Sequence, residues 1–116
     1  MAYVDGFLIP VPNSRKAEYQ AHEEKWWPWF RDRGATSMTV CWADDVKAGK
    51  WTDFQRAVAL EPEESVVFAW MIWPDKAMRD EAFEGMDDAA MDMSEMPFDG
   101  KRMVFGGFVP IVDVTA

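Results

Sequence analysis

An α+β domain, with helices laid over one face of a small sheet, is the fold class this sequence predicts, and three observations carry it. Residues 66–73, "VVFAWMIW", are apolar on both faces, as a strand covered on both sides must be. Two segments rich in helix-spaced apolar residues follow β-like stretches, so strands and helices alternate along the chain. The 116 residues, 49% of them hydrophobic, suffice for one domain with its own core, spanning 1–116.

The elements are read in chain order. Residues 3–12, "YVDGFLIPVP", are β-branched and aromatic, with prolines near the end that suit a strand terminus. Asn13 or Ser14 is expected to cap a helix that Gly34 closes in a left-handed conformation. Along it Tyr19, His22, Trp26, Trp29 and Phe30 form the stripe expected to face the sheet, and Trp27 falls off it. Pro28 predicts a kink or a weakened turn. Residues 36–43 alternate Met38, Val40 and Trp42 on one face of a second strand, and an acidic turn with Asp44 and Asp45 follows. Residues 51–60 alternate as a half-exposed strand or hairpin arm, with a helix as the competing reading.

After the central strand, Asp75 is placed to cap a second helix bearing Met78, Ala82, Met86 and Ala89 on one stripe. The last strand lies within 101–114, where Gly106 and Gly107 imply a bulge or close packing. The order contains the split βαβ pattern of ferredoxin-like domains, with an extra strand or hairpin. Two helices cover one face of such a sheet only. The other face of residues 66–73 is also apolar, which predicts a homodimer that covers it with a second subunit.

Twelve basic against 21 acidic residues leave a formal charge of −9, which repels phosphate backbones and anionic membrane surfaces, so neither nucleic acid nor membrane is an expected partner. Cys41 is the sole cysteine and permits no intrachain disulfide, and no basic-apolar leader opens the chain. A cytoplasmic location is expected.

The motifs "YVDGF", "CWADDV", "GKWTDFQRAV", "ESVVFAW", "KAMRD" and "MPFDGKRMVFGGF" together resemble the DUF1428 family of YbaA-like proteins over nearly the whole chain. The resemblance implies a dimeric α+β barrel, two ferredoxin-like subunits packed sheet to sheet, in a family without an assigned function. The helix around Trp26, Trp27 and Trp29 is richer in tryptophan than the family pattern. The wider barrel superfamily includes cofactor-free monooxygenases, lactone isomerases and haem-degrading enzymes. The haem-degrading members carry a histidine on the second helix, and residues 75–91 contain none. No cofactor is expected.

His22 is the only imidazole, and hence the natural proton carrier near neutrality; its competing role is a hydrogen-bonded residue of the helix–sheet interface. Asp5, an acid inside an apolar strand, requires either a buried partner or a role as base. Arg56 and Arg102 are candidates to steady an anion, or to pair with nearby carboxylates. Tyr3, Trp26, Trp29, Trp42, Trp70 and Trp73 are candidate walls of a pocket for a small apolar or aromatic molecule, or else plain core. Trp27 reads as a semi-exposed residue or an anchor for a protein partner. "MDMSEM" spaces Met91, Met93 and Met96 as Cu(I) ligands would be spaced, against the simpler reading of gap-filling thioethers. No phosphate loop, CxxC or HExxH occurs. The overall expectation is a homodimer that binds a small apolar or aromatic molecule, with cofactor-independent proton or oxygen chemistry if it is an enzyme, the alternative being a non-enzymatic interaction protein with a filled core.

Overall fold

The computed structural model describes residues 2–86 and 96–116. Strand β1 (Tyr3–Pro12) leads through a 3-10 turn (Asn13–Arg15) into α1 (Lys16–Asp32). Then come β2 (Ser37–Trp42), the short α2 (Phe54–Ala57), β3 (Glu64–Trp73), α3 (Lys76–Met86), a second 3-10 turn (Gly100–Arg102) and β4 (Val104–Phe108). The sheet order is β2-β3-β1-β4, with every neighbouring pair antiparallel. This is the ferredoxin-like arrangement, in which the longest strands, β1 and β3, occupy the centre.

Alternation along the strands sorts the side chains. Tyr3, Asp5, Phe7, Ile9 and Val11 of β1 stand on the helix side, in register with Trp73, Met71, Ala69, Val67 and Ser65 of β3. They build two clusters. Trp73, Tyr3, Met71, Ala35 and Ala82 pack with Trp27, Phe30 and Phe83 at one end of the sheet. Val67, Ile9, Val11, Tyr19 and Ala69 pack with Val40, Trp42 and Phe98 at the other. Phe7 touches both.

Helix α1 differs from its sequence expectation in three ways. Neither Asn13 nor Ser14 caps it: the N-cap position is Arg15, without a side-chain cap bond, and the Asn13 carboxamide oxygen accepts from the Ser65 hydroxyl instead. The helix runs unbroken through Pro28, whose exposed position leaves the Glu24 carbonyl free to turn to water. Its buried side is also rotated. Trp27, not Trp29, joins the core cluster, while Trp29 lies under the Arg33 guanidinium, 3.8 Å from the ring centroid. Gly34 closes the helix as expected, at φ 112°, with Ala35 N–H donating to Phe30 O and Gly34 N–H to Arg31 O in a Schellman pattern.

The strand expected within 51–60 is a correction: residues 54–57 are helical. The Asp53 carboxylate accepts from Arg56 N–H at 2.7 Å and Gly49 N–H at 3.1 Å, a capping arrangement that an extended chain does not offer. Ala59 at φ 48° then reverses the chain, and Val58 is buried beneath the turn. The Asp75 cap forms as expected, accepting from Met78 N–H at 2.8 Å. Strand β4 pairs with β1 without a bulge from Val104 to Phe108, so close packing is the reason for Gly107. A side chain there would collide with the Tyr3 hydroxyl and stand 2.7 Å from Arg79 Nη2. Ala89, Met91 and Met93 lie outside the described residues, and with the last two so does most of the "MDMSEM" motif weighed above as Cu(I) ligands or gap-filling thioethers.

The face of the sheet away from the helices is apolar and open. Phe68 and Phe108 are roughly half exposed or more, and Val109, Ile111, Val112 and Val114 of the C-terminal segment are more exposed than buried. Among the described residues no helix is long and apolar enough to cross a membrane.

Candidate functional site

A cavity of about 400 Å³ lies between the sheet and its helices, where the two core clusters meet. Phe7, Ala69 and Met71 border it from the sheet, Trp26 and Phe30 from α1, and Phe83 from α3. Phe98, Met96 and Met103 border it from the segment leading to β4. Among the described residues its walls are overwhelmingly apolar, and the exception there is a small polar group on α1.

Tyr19, His22 and Glu23 supply that group. Positions i, i+3 and i+4 of a helix share one face, so one turn of α1 delivers all three side chains to the same edge of the cavity. The Tyr19 and His22 rings meet Phe98 edge-on, at centroid distances of 5.7 and 6.4 Å. His22 Nδ1 stands 3.6 Å from a Glu23 carboxylate oxygen, too far for a hydrogen bond. Among the described residues, the buried Tyr19 hydroxyl and His22 Nδ1 have no partner within hydrogen-bond geometry. Burial first, and the nearby Glu23 carboxylate second, hold the Tyr19 hydroxyl well above the ordinary phenol range. It is therefore a neutral hydroxyl in the working range of pH, close to the Glu23 carboxylate.

A second buried polar group sits at the far end of the same layer. Asp5 accepts from Trp73 Nε1 at 3.0 Å, and from Arg79 Nε and Nη2 at 3.0 and 2.9 Å. Arg79 lies over the rings of Tyr3 and Phe83 and also donates to Asp80 at 2.8 Å. The fork geometry suits guanidinium, and the Asp5 hydrogen bonds raise the Arg79 pKa beyond its already high value. With both oxygens engaged by Trp73 and Arg79 and no place on the cavity wall, Asp5 takes the first of its two expected roles, that of a buried acid with a partner.

Other expected site residues disperse. Arg56 donates to Gly49 O from the exposed α2. Arg102 grips Glu64 through two bonds of 2.7 Å and Asp99 at 3.0 Å, and it holds the Glu64 carboxyl below the usual carboxylate range. Tyr3 and Trp73 are core residues, Trp29 stacks with Arg33, and Trp42 packs in the second cluster beneath Lys16. None of these six lines the cavity. His22 and Trp26 do line it, and Trp70 borders both the cavity and the opposite face, where it meets Phe68. Tyr19 and Glu23 were missed as site residues. A tyrosine on an apolar helical stripe reads as core, and only its unmatched hydroxyl marks it otherwise.

Known proteins agree with the motifs. The family model described as a protein of unknown function, DUF1428, matches residues 2–100. This chain belongs to the DUF1428 family. Uncharacterized YbaA proteins from Escherichia coli and Shigella flexneri are 47% identical to this DUF1428 member over 116 residues, covering 97% of the chain and 99% of theirs. Among solved structures, a dimeric ferredoxin-like protein from an uncultured marine organism is similar at TM-score 0.63 and 10% identity, covering 98% of this chain and all of that one. A Mycobacterium tuberculosis protein follows at TM-score 0.55 and 11% identity, covering 99% and 100%. At such identities the likeness is one of fold.

Proposed function

We propose that this DUF1428 domain forms a homodimer through the open face of its sheet and binds a small apolar or aromatic molecule in the helix-side cavity of each subunit. The observation that carries the reading is the cavity itself: about 400 Å³, walled by aromatics, with a polar edge. A filled core, which the alternative of a pure interaction protein requires, would leave no such space. Pairing is supported by the exposed Phe68, Phe108 and C-terminal valines, a patch that burial against a second sheet would remove from water. The similar marine protein is itself described as dimeric. For turnover of the bound molecule, His22 is the side chain positioned to accept or deliver a proton at the cavity edge, without a cofactor.

Native mass spectrometry of freshly purified protein tests both parts. The expected result is a dimer carrying an additional small mass, which a cavity-filling Ala69→Phe variant no longer retains. A monomer at micromolar concentration would overturn the pairing. A dimer that retains nothing and binds no aromatic probe would overturn the ligand reading.

A further inference from the structure

We infer that methionine sulfurs in the wall make the cavity select an aromatic ring over a saturated ring of the same size. This rests on the ligand reading above and specifies the ligand's chemical class. Met38 of β2, Met71 of β3, Met86 at the end of α3, and Met96 and Met103 from the stretch before β4 all line the space. Five of the nineteen described lining residues are thus methionine, whereas the whole chain of 116 residues has nine. The fold gathers them from distant parts of the sequence. Met71 is the buried member, at 4% exposure, and the other four are half-buried, so they keep accessible surface that a guest can meet.

Polar groups leave the selection to these walls. The Tyr19 hydroxyl and His22 Nδ1 are shielded even from water-sized molecules and offer a ligand no hydrogen bond. Among the described lining residues Glu23 is the sole carboxylate and there is no lysine or arginine, so an anionic group would find no counter-ion. A thioether sulfur is polarisable and is attracted to an aromatic ring, often at its edge and about 5 Å away. The edge carries partial positive charge because of the ring quadrupole, and a saturated ring has no such feature. Hydrophobicity runs the other way: the saturated ring is the less water-soluble of the two, so expulsion from water alone would favour it. Phe7 and Phe83 also border the cavity and attract ring edges, so the test has to separate sulfur from ring.

The test titrates 2-phenylethanol and 2-cyclohexylethanol, which share one polar group, into the wild-type protein and follows binding by calorimetry. The phenyl compound is expected to bind at least about fivefold more tightly. Met38→Leu, Met86→Leu and Met103→Leu combined conserve side-chain volume and should reduce that preference to below about twofold. Protein made with norleucine in place of methionine, which keeps the unbranched shape and removes only sulfur, should show the same reduction and serves if the triple variant fails to fold. Equal affinities in the wild-type protein, or tighter binding of the cyclohexyl compound, would overturn the inference and leave an apolar cavity without ring selectivity. A preference that survives norleucine would assign the selection to the wall rings and overturn the role of the sulfurs. If neither alcohol binds, the ligand reading itself fails and this inference with it.

Discussion

Asp5 and Tyr19 are equally buried, each at 2% exposure, yet Asp5 is held by several hydrogen bonds while the Tyr19 hydroxyl meets the geometric criteria for none among the described residues. Asp5 is reached by an indole N–H from the neighbouring strand and by a guanidinium from α3. Tyr19 shares one turn of α1 with His22 and Glu23 beside the cavity, and its hydroxyl is buried near the Glu23 carboxylate. Burying a polar group unpaired costs about 1–3 kcal/mol, so the two ends of the helix–sheet layer contribute differently to stability. The Asp5 end locks α3 to the sheet. The Tyr19 end borders the cavity instead.

Breaking the saturated end should have the largest effect. Arg79→Leu leaves a buried carboxylate without its counter-ion, and urea unfolding is expected to show a loss of about 3–5 kcal/mol. A loss below about 1 kcal/mol would show that Asp5 finds water or another partner. Gly107→Ala presses a methyl against the Tyr3 hydroxyl and Arg79 Nη2 without removing either, for an expected loss of roughly 1–3 kcal/mol by the same measurement.

The open end should respond in the opposite sense. Tyr19→Phe deletes a hydroxyl that among the described residues makes no bond within hydrogen-bond geometry, and stability at neutral pH is expected to stay within about 0.5 kcal/mol of wild type or to rise. Alkali sharpens the contrast. The folded state holds the Tyr19 pKa above its ordinary 10.0, so the unfolded chain loses this proton first. The stability tied to it is complete below that pH and falls as pH climbs above it, at up to about 1.4 kcal/mol per pH unit. Tyr19→Phe should therefore lose less stability than wild type between neutral and strongly alkaline pH, and parallel curves would remove Tyr19 as the cause.

Much of this layout is legible in the sequence. The doubly apolar run in β3 predicts a central strand, and an acid in the apolar β1 predicts a partner; Asp5 has one. That the partner is Arg79, 74 positions along the chain, follows only from the antiparallel register and the place of α3. Trp27 and Trp29 lie on opposite flanks of the Tyr19 stripe, so a modest rotation of α1 decides which is buried, and periodicity does not specify that rotation. Residues 51–60 mislead for a different reason. Ten residues alternate by composition alone, while the Asp53 cap that makes a helix of them depends on Gly49 and Arg56 folding back onto it. The cavity edge was half visible: His22 and Trp26 stand out as residue types, Tyr19 and Glu23 only as geometry.

The orientation of β2 has a practical consequence. Met38, Val40 and Trp42 alternate toward the helices, which places Cys41 on the open face opposite Phe68. As the chain's sole thiol, it stands within the surface that pairing would cover. Its alkylation rate should thus rise as the protein is diluted and fall as subunits associate, making each molecule a reporter of its own dissociation without an added label site.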